Sequence, residues 1–403
     1  MTFDLDGLTQ DEKKYVLARS YPLFVAYYGG LRVAPFHASL AKHWQDSRFS
    51  LTLMPMQHGK ALDPMTPIAT PEGWSKIGDL KVGDAVFGSD GNPCKVTGVQ
   101  WWENRPLYLV TTDDGEGIVA DAEHEWPIHL DARSKKNLYT TKELARPRKQ
   151  KAQGNLCKPL EMPATFLPID PYVLGVWLGD GHSADARVTQ SVEDGRFIRA
   201  EIEEAGYETT SNQNPMTFNV CGLMTQLRML GLLDNKYIPA FYLRASREQR
   251  LALLQGLIDT DGHVAYDPRK PEHLRGGQVE FCSTNQRLAQ GVLELARTLG
   301  AKASLKVGRA TLNGKDCGEK YRVFFYLKDA ARLPRKRFLC RNSTRKHYLE
   351  ARPCGRGPTV CIEVDSPDHL YLAGYSMVPT HNSTTMKWDI IRNICLNPNV
   401  RII

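Results

Sequence analysis

The sequence predicts a mixed fold: an all-β domain split in sequence, an α/β domain inserted into it, and flanks that are pieces of a P-loop α/β ATPase. Three observations predict it. Short apolar runs punctuated by Gly73, Gly78, Gly83, Gly88 and Gly91 fill residues 61 to about 165, and a similar stretch returns from Thr359 to Val378. Between them, two helix-like apolar segments, Pro171 to Gly179 and Gln249 to Thr260, each run into an acid and a glycine. Gly59 and Lys60 end one segment, and Ser383 and Thr384 open another far along the chain.

The third observation carries the most chemistry. Rejoined, Met54, Pro55, Met56, Gln57, His58, Gly59, Lys60, Ser383 and Thr384 read as a phosphate-binding loop after the strand-like run Ser50 to Leu53. Such a loop needs lysine and hydroxyl side by side, because backbone amides and Lys60 grip phosphates while Ser383 or Thr384 holds magnesium. The intact host protein is therefore expected to bind ATP and Mg2+, and residues 61–382 must be removed to make its site.

This divides the chain into 1–60, 61–165, 166–335, 336–382 and 383–403. The first and last belong to the host, with an aromatic segment from Tyr15 to Tyr28 and helix candidates at His37 to Asp46 and Thr384 to Leu396. They are too short for a complete nucleotide motor, so a longer host is expected. The second and fourth form the split β-domain, and the third is the α/β insertion.

At 403 residues and a net charge of +7, the chain has room for several cores and tolerates an anionic partner. No apolar run approaches membrane-spanning length and no signal pattern precedes the first acids, so a cytoplasmic protein without membrane association is expected. Nine cysteines include no CxxC pair and no Cys/His metal spacing. A reducing compartment is expected, which leaves a thiol free to act as a nucleophile.

The insert opens with Ala61, Leu62, Asp63, Pro64 and closes with Thr380, His381, Asn382 directly before Ser383. These ends resemble the terminal motifs of inteins, the self-splicing protein insertions. Ala61 has no side-chain nucleophile, which leaves two readings: a replaced first residue, or the intein class that uses an internal cysteine. His124 with Trp126 two residues later, Cys361 in the stretch Val360 to Gly374, and Thr380 match the Trp, Cys, Thr set of that second class. The resemblance implies an all-β splicing (Hint) fold and a sequence of acyl transfers from Lys60 to Cys361 and then to Ser383, released by cyclisation of Asn382. It implies that His124 protonates the departing amine of Ala61, that His381 and His369 assist the asparagine step, and that Trp126 and Thr380 shape the pocket. No cofactor is needed for splicing. Asp121 departs from the family's usual Thr three residues before the histidine. Two other functions remain open at this point: an ATPase with a splicing-inert insert, and a Hedgehog-like module that cleaves without ligating.

Val173 to Gly181 and Leu254 to Gly262 resemble the LAGLIDADG motif of homing endonucleases. Small residues Gly175, Gly179, Gly256 and Thr260 allow two helices to approach closely, and their ends then bring Asp180 and Asp261 together. The resemblance implies a pseudo-symmetric monomer that cuts a long double-stranded DNA site, with Asp180 and Asp261 holding Mg2+. Asp259 is read as the more replaceable acid, and Lys236 resembles a family lysine near the scissile phosphate. Arg146, Arg148, Lys149, Lys151 and the run Arg332, Arg335, Lys336, Arg337, Arg341, Arg345, Lys346, interleaved with Phe338 and Tyr348, supply a candidate DNA surface.

The rejoined loop lacks glycine at position 54. With the aromatic-rich arm before it and Asn397 to Arg401 after its helix, this form resembles the large terminase subunit of tailed phages.

Overall fold

In the computed structural model the described residues are 61–130, 136–148, 151–269, 271, 276–312, 315–342 and 346–382. Gly59, Lys60, Ser383 and Thr384, and with them the rejoined loop and the flanking helix candidates, lie outside the described residues, as do Lys149 and Arg345.

The two β-rich pieces interleave. From the first come β1 (Pro67–Thr70), β2 (Gly73–Lys76), β3 (Pro93–Thr112), β4 (Gly117–Asp121) and β5 (Glu125–His129); from the second come β6 (His347–Val364), β7 (Leu370–Ala373) and β8 (Val378–His381). One sheet has the order β8-β7-β1-β2, so strands from opposite ends of the insert are neighbours. In the other, β3 and β6 form a long antiparallel ribbon from Leu349 opposite Thr112 to Val364 opposite Val96, interrupted by three register shifts. The start of β3 alternates buried Cys94, Val96 and Gly98 with exposed Pro93, Lys95 and Thr97, the period of a strand with one face on a core. That core contains Leu62, Ile68, Val110, Trp126, Val360, Ile362 and Tyr371, drawn from both pieces.

The inserted body is built on helices α1 (Pro171–Asp180), α2 (Arg247–Asp261) and α3 (Gln286–Thr298). The Asp170 side chain caps α1 ahead of Pro171, and Ser246 and Gln249 form a reciprocal capping box on α2. Each motif helix is followed by antiparallel strands: Arg187–Thr189, Thr217–Val220 and Thr209–Ser211 after α1, and a four-stranded sheet from Gly262 to Phe325 after α2.

Helices α1 and α2 meet backbone to backbone. A Cβ on Gly175 would stand 2.3 Å from the Leu253 carbonyl oxygen, and one on Gly256 would stand 2.3 Å from that of Tyr172. A Cβ on Gly179 would overlap the Thr260 hydroxyl. Gly256→Ala is therefore expected to destabilise the inserted body by about 1–3 kcal/mol, since the nearest atoms are backbone and cannot swing away. Denaturant unfolding of the variant against the parent chain measures this; an unchanged midpoint contradicts the packing.

The inserted body's core reaches Cys340, while β6 begins at His347. The seam thus lies later than the 335/336 boundary expected from sequence. Among the described residues no helix is long and apolar enough to cross a membrane.

Candidate active sites

The first site forms around the start of the insert. Leu62 and Val360 exchange both backbone hydrogen bonds, at 2.9 and 2.8 Å. The bridge is antiparallel, so Ala61 stands opposite Cys361 as the adjoining non-hydrogen-bonded pair. Pairs of that kind hold their Cα atoms about 4.5 Å apart. Both residues are buried, at 1% exposure each. The Ala61 carbonyl accepts the Asp121 N–H at 2.9 Å, which fixes the first peptide from the other side.

Asp121 has a structural account. It is fully buried, pairs with Arg105 at 2.5 and 3.2 Å, and accepts the Glu123 N–H at 2.8 Å. The His124 N–H in turn donates to the Asp121 carbonyl at 3.1 Å. This carboxylate thus locks the turn that carries His124. Thr141 holds the other side, where its hydroxyl donates to the His124 carbonyl at 3.1 Å and accepts from Trp126 Nε1 at 3.0 Å. Trp126 also meets the His124 ring edge to face at 4.9 Å.

The His124 Nε2 hydrogen-bonds the Thr380 hydroxyl, tying the first piece to the last strand. Thr380 pairs with Tyr371 and His381 with Leu370 across β7 and β8. Asn382 is fully buried; its side-chain Nδ2 donates to the Val364 carbonyl at 3.1 Å and its N–H donates to the His369 carbonyl at 2.9 Å. His369 holds a left-handed φ of 56° and its ring centre lies 6.5 Å from that of His381. His381 Nδ1 lies 3.9 Å from Glu125 Oε2. Hydrogen bonds thus run from Ala61 through the Asp121 backbone to His124 and on to Thr380, which pairs with Tyr371, while Asn382 is anchored on Val364 and His369. Sequence reasoning missed Arg105, Thr141 and Tyr371. The last is fully buried, and burial with nearby Cys361 pushes its hydroxyl well above the ordinary tyrosine range.

The second site lies where α1 and α2 end. Asp180 and Asp261 hydrogen-bond each other, and both acidities are weakened, first by burial and for Asp180 also by its partner's charge. Gln190 donates to Asp180. Two lysines flank the pair in matching roles. Lys236 Nζ donates to the carbonyls of Leu178, Gly179 and Gly181 at 3.2, 3.0 and 2.6 Å, at the end of α1. Lys336 Nζ donates to those of Ile258, Asp259 and Thr260 at 2.7, 2.8 and 3.1 Å, at the end of α2. Burial lowers each ammonium to about 8. Lys336 reads from sequence as one more surface charge, because it sits inside a basic run; the helix end it caps is the only signal, and that is a tertiary one.

Asp259, read from sequence as the more replaceable acid, is buried and accepts the Tyr172 hydroxyl at 2.9 Å and the N–H groups of Arg332 and Leu333 at 3.1 and 2.9 Å, so it holds the segment that delivers Lys336. In the basic run Arg332 pairs with Glu201, Arg335 with Asp194 and Arg337 with Asp329, and the last two arginines stay more than half exposed. On the four-stranded sheet Lys306 stands opposite Arg322, which pairs with Glu280, and Gly308 opposite Lys320. Phe338 is 84% exposed.

The acid pair makes stability depend on pH. Folded-state acidities that are raised impose no penalty below the unfolded carboxylate value of about 3.9, and a growing one as pH climbs to the raised folded value. In a chelator the inserted body is expected to lose stability from about pH 4 upward relative to its Asp180→Asn variant, with Mg2+ restoring more stability at about pH 8 than at about pH 5. Paired thermal melts read this; a Mg2+ effect independent of pH contradicts it.

Residues 248–336 match the family of LAGLIDADG-like domains, and the chain carries such a domain. Along most of its length the chain is similar to the replicative DNA helicase DnaB of Mycobacterium intracellulare, at 35% identity over 370 residues, which cover 83% of this chain and 60% of that protein. A shorter stretch is 41% identical to DnaB of Mycobacterium leprae (strain TN) over 81 residues, 20% of this chain and 13% of that protein. The chain therefore spans less than two thirds of either relative. Both are helicases, in place of the terminase that the flanks led us to expect. Among solved structures, the MchDnaB-1 intein is similar at 18% identity over 80% of this chain and 100% of its own, with a TM-score of 0.29. The Msm DnaB1 intein splicing domain bound with zinc has 17% identity, the same coverage and a TM-score of 0.28. Structural likenesses this weak add nothing to the geometry.

Proposed function

We propose that residues 61–382 are an intein that excises itself and joins Lys60 to Ser383, and that its inserted body is a DNA-cutting homing endonuclease. The Leu62–Val360 bridge, whose antiparallel register brings Ala61 next to Cys361 across the two strands, is the observation that carries the splicing reading. A thiol held across a strand pair from the junction replaces a bimolecular encounter with a positioned one. The burial of Ala61 and Cys361 also keeps water away from an acyl intermediate on that sulfur.

Each proposed step balances in atoms and charge. The Cys361 thiolate adds to the Lys60 carbonyl, the C–N bond to Ala61 breaks, and His124 delivers a proton to the leaving nitrogen. The Ser383 hydroxyl takes the acyl group from sulfur and returns a proton to the thiol. The Asn382 side-chain nitrogen attacks its own carbonyl and expels the Ser383 amine, with His381 protonating that nitrogen and His369 supporting the turn. The freed amine displaces the ester oxygen and leaves a peptide bond. The contact between His124 and Thr380 supports a single pocket serving both ends.

For the nuclease, two buried carboxylates held side by side at the helix ends are a donor set suited to a hard cation. Asp180 and Asp261 would hold Mg2+, which supplies activation of water and stabilisation of the leaving oxygen when bound. Lys236 and Lys336 hold positive charge beside the acids, and Lys306 and Lys320 on the sheet, with the exposed Arg335 and Arg337, support a duplex DNA surface. The host is read as an ATP- and Mg2+-binding protein whose P-loop is rebuilt by ligation, and its curated relatives favour a replicative helicase.

Mass spectrometry of the expressed precursor tests the reading: joined flanks and a free fragment of residues 61–382 are expected. An intact chain, or cleavage without ligation, overturns it.

A further inference from the structure

The turn that joins β7 to β8, Gly374 to Met377, carries two left-handed residues, Gly374 at φ 72° and Met377 at φ 52°. A methionine in that region is uncommon and needs outside support. The strand after the turn holds Thr380, His381 and, one residue on, Asn382. Support comes from the inserted body, and twice from one helix.

Near the end of α3, Arg297 donates to Asp114 at 3.0 Å, and the same carboxylate oxygen accepts the Ser376 hydroxyl at 2.6 Å. Asp114 and Arg297 are nearly inaccessible, at 1% and 8% side-chain exposure. Burial would raise the Asp114 acidity constant, but Arg297, Ser376 and Thr112 together hold it below the ordinary value, so the carboxylate stays charged. Its neighbour Glu116 accepts a backbone hydrogen bond from Tyr375. One helical turn earlier on α3, Glu294 accepts Trp74 Nε1 at 2.9 Å and pairs with Arg244 at 2.8 Å. Trp74 then meets Tyr375 edge to face at 4.8 Å. Two separate routes from α3 therefore end on adjacent residues of the turn.

We propose that Arg297 and Glu294, though they belong to the endonuclease body, are positioning residues for the cyclisation of Asn382. The inference rests on the splicing reading above. Asn382 must place a side-chain nitrogen on its own carbonyl, and β8 is registered by a turn whose backbone is held from outside. Releasing Asp114 leaves a buried charge that draws Ser376 and Thr112 away from the turn's geometry. The first acyl transfer uses Ala61, Cys361 and His124, and of these His124 meets the strand after the turn through the Thr380 hydroxyl, so that step should be slowed less than the cyclisation.

The full precursor is followed in time by gel and mass spectrometry, with the branched species and the ligated product quantified separately. In Arg297→Ala the branched species is expected to disappear about tenfold more slowly, the scale of a small misplacement of a reacting group, with its formation slowed less. Arg297→Lys should recover most of that loss by keeping the charge. Glu294→Ala should slow the same step. Where Arg297→Ala does not fold, Glu294→Ala is read in its place. Decay of the branched species at the parental rate in Arg297→Ala, or in Glu294→Ala where the first does not fold, overturns the proposal, as does equal slowing of both steps together with a lowered unfolding temperature. A parent chain that gives neither branched species nor ligated flanks removes the splicing reading and this proposal with it, whereas a splicing parent with indifferent variants removes the proposal alone.

Discussion

Replacing Cys361 with alanine is expected to remove the branched species and the ligated product together, a loss of at least about 10³-fold given the effective concentrations that positioned nucleophiles reach. The expectation rests on the register of one bridge. Leu62 and Val360 are locked by a reciprocal pair of hydrogen bonds, so the next residue of each strand faces the other, and those residues are Ala61 and Cys361. Alanine at position 361 preserves the strand and the burial while deleting the thiol there, so a fold defect is not the expected cause. Ala61→Cys, by contrast, is not required for activity. The check is a time course of the precursor resolved by mass, with unfolding temperature measured alongside. Ligated flanks from the Cys361→Ala chain would discard the nucleophile assignment.

Asp180→Asn or Asp261→Asn is expected to lower Mg2+-dependent cutting of the uninterrupted host gene by roughly two to three orders of magnitude, the scale seen when one preorganised charged group is lost from an active site. Each substitution removes one carboxylate charge from a pair that hydrogen-bonds across the helix ends. It also removes a buried carboxylate whose acidity burial weakens, so these variants should fold at least as well as the parent in a chelator. Stability retained with activity lost separates a cation-binding role from a packing role. Cutting at the parental rate by either variant sinks the assignment of the two acids.

The sequence makes the close helix crossing legible, because Gly175 and Gly179 on α1, and Gly256 and Thr260 on α2, are each four residues apart and put small side chains on one face of each helix. It makes the pairing of distant β-pieces legible through their shared strand period. The partner of Ala61 is not legible, since three register shifts in the β3 and β6 ribbon decide which residue faces it. Lys336 is hidden for a different reason: in a run of arginines its charge looks like a solvated face, and only the arrival of the segment at the end of α2 turns it inward. Asp259 is misjudged on the same account, because its donors come from Tyr172 and from the backbone of Arg332 and Leu333. The host reading fails where the sequence is thinnest, in flanks whose loop pattern is shared by many nucleotide-binding proteins.

The ribbon of β3 and β6 also gives the splicing pieces a way to survive a break in the chain. Its strands lie on either side of the nuclease in sequence, yet they are zipped along nearly their whole length. A nick between them would leave two fragments that still recognise each other by backbone pairing, so the splicing half could operate from separately made polypeptides.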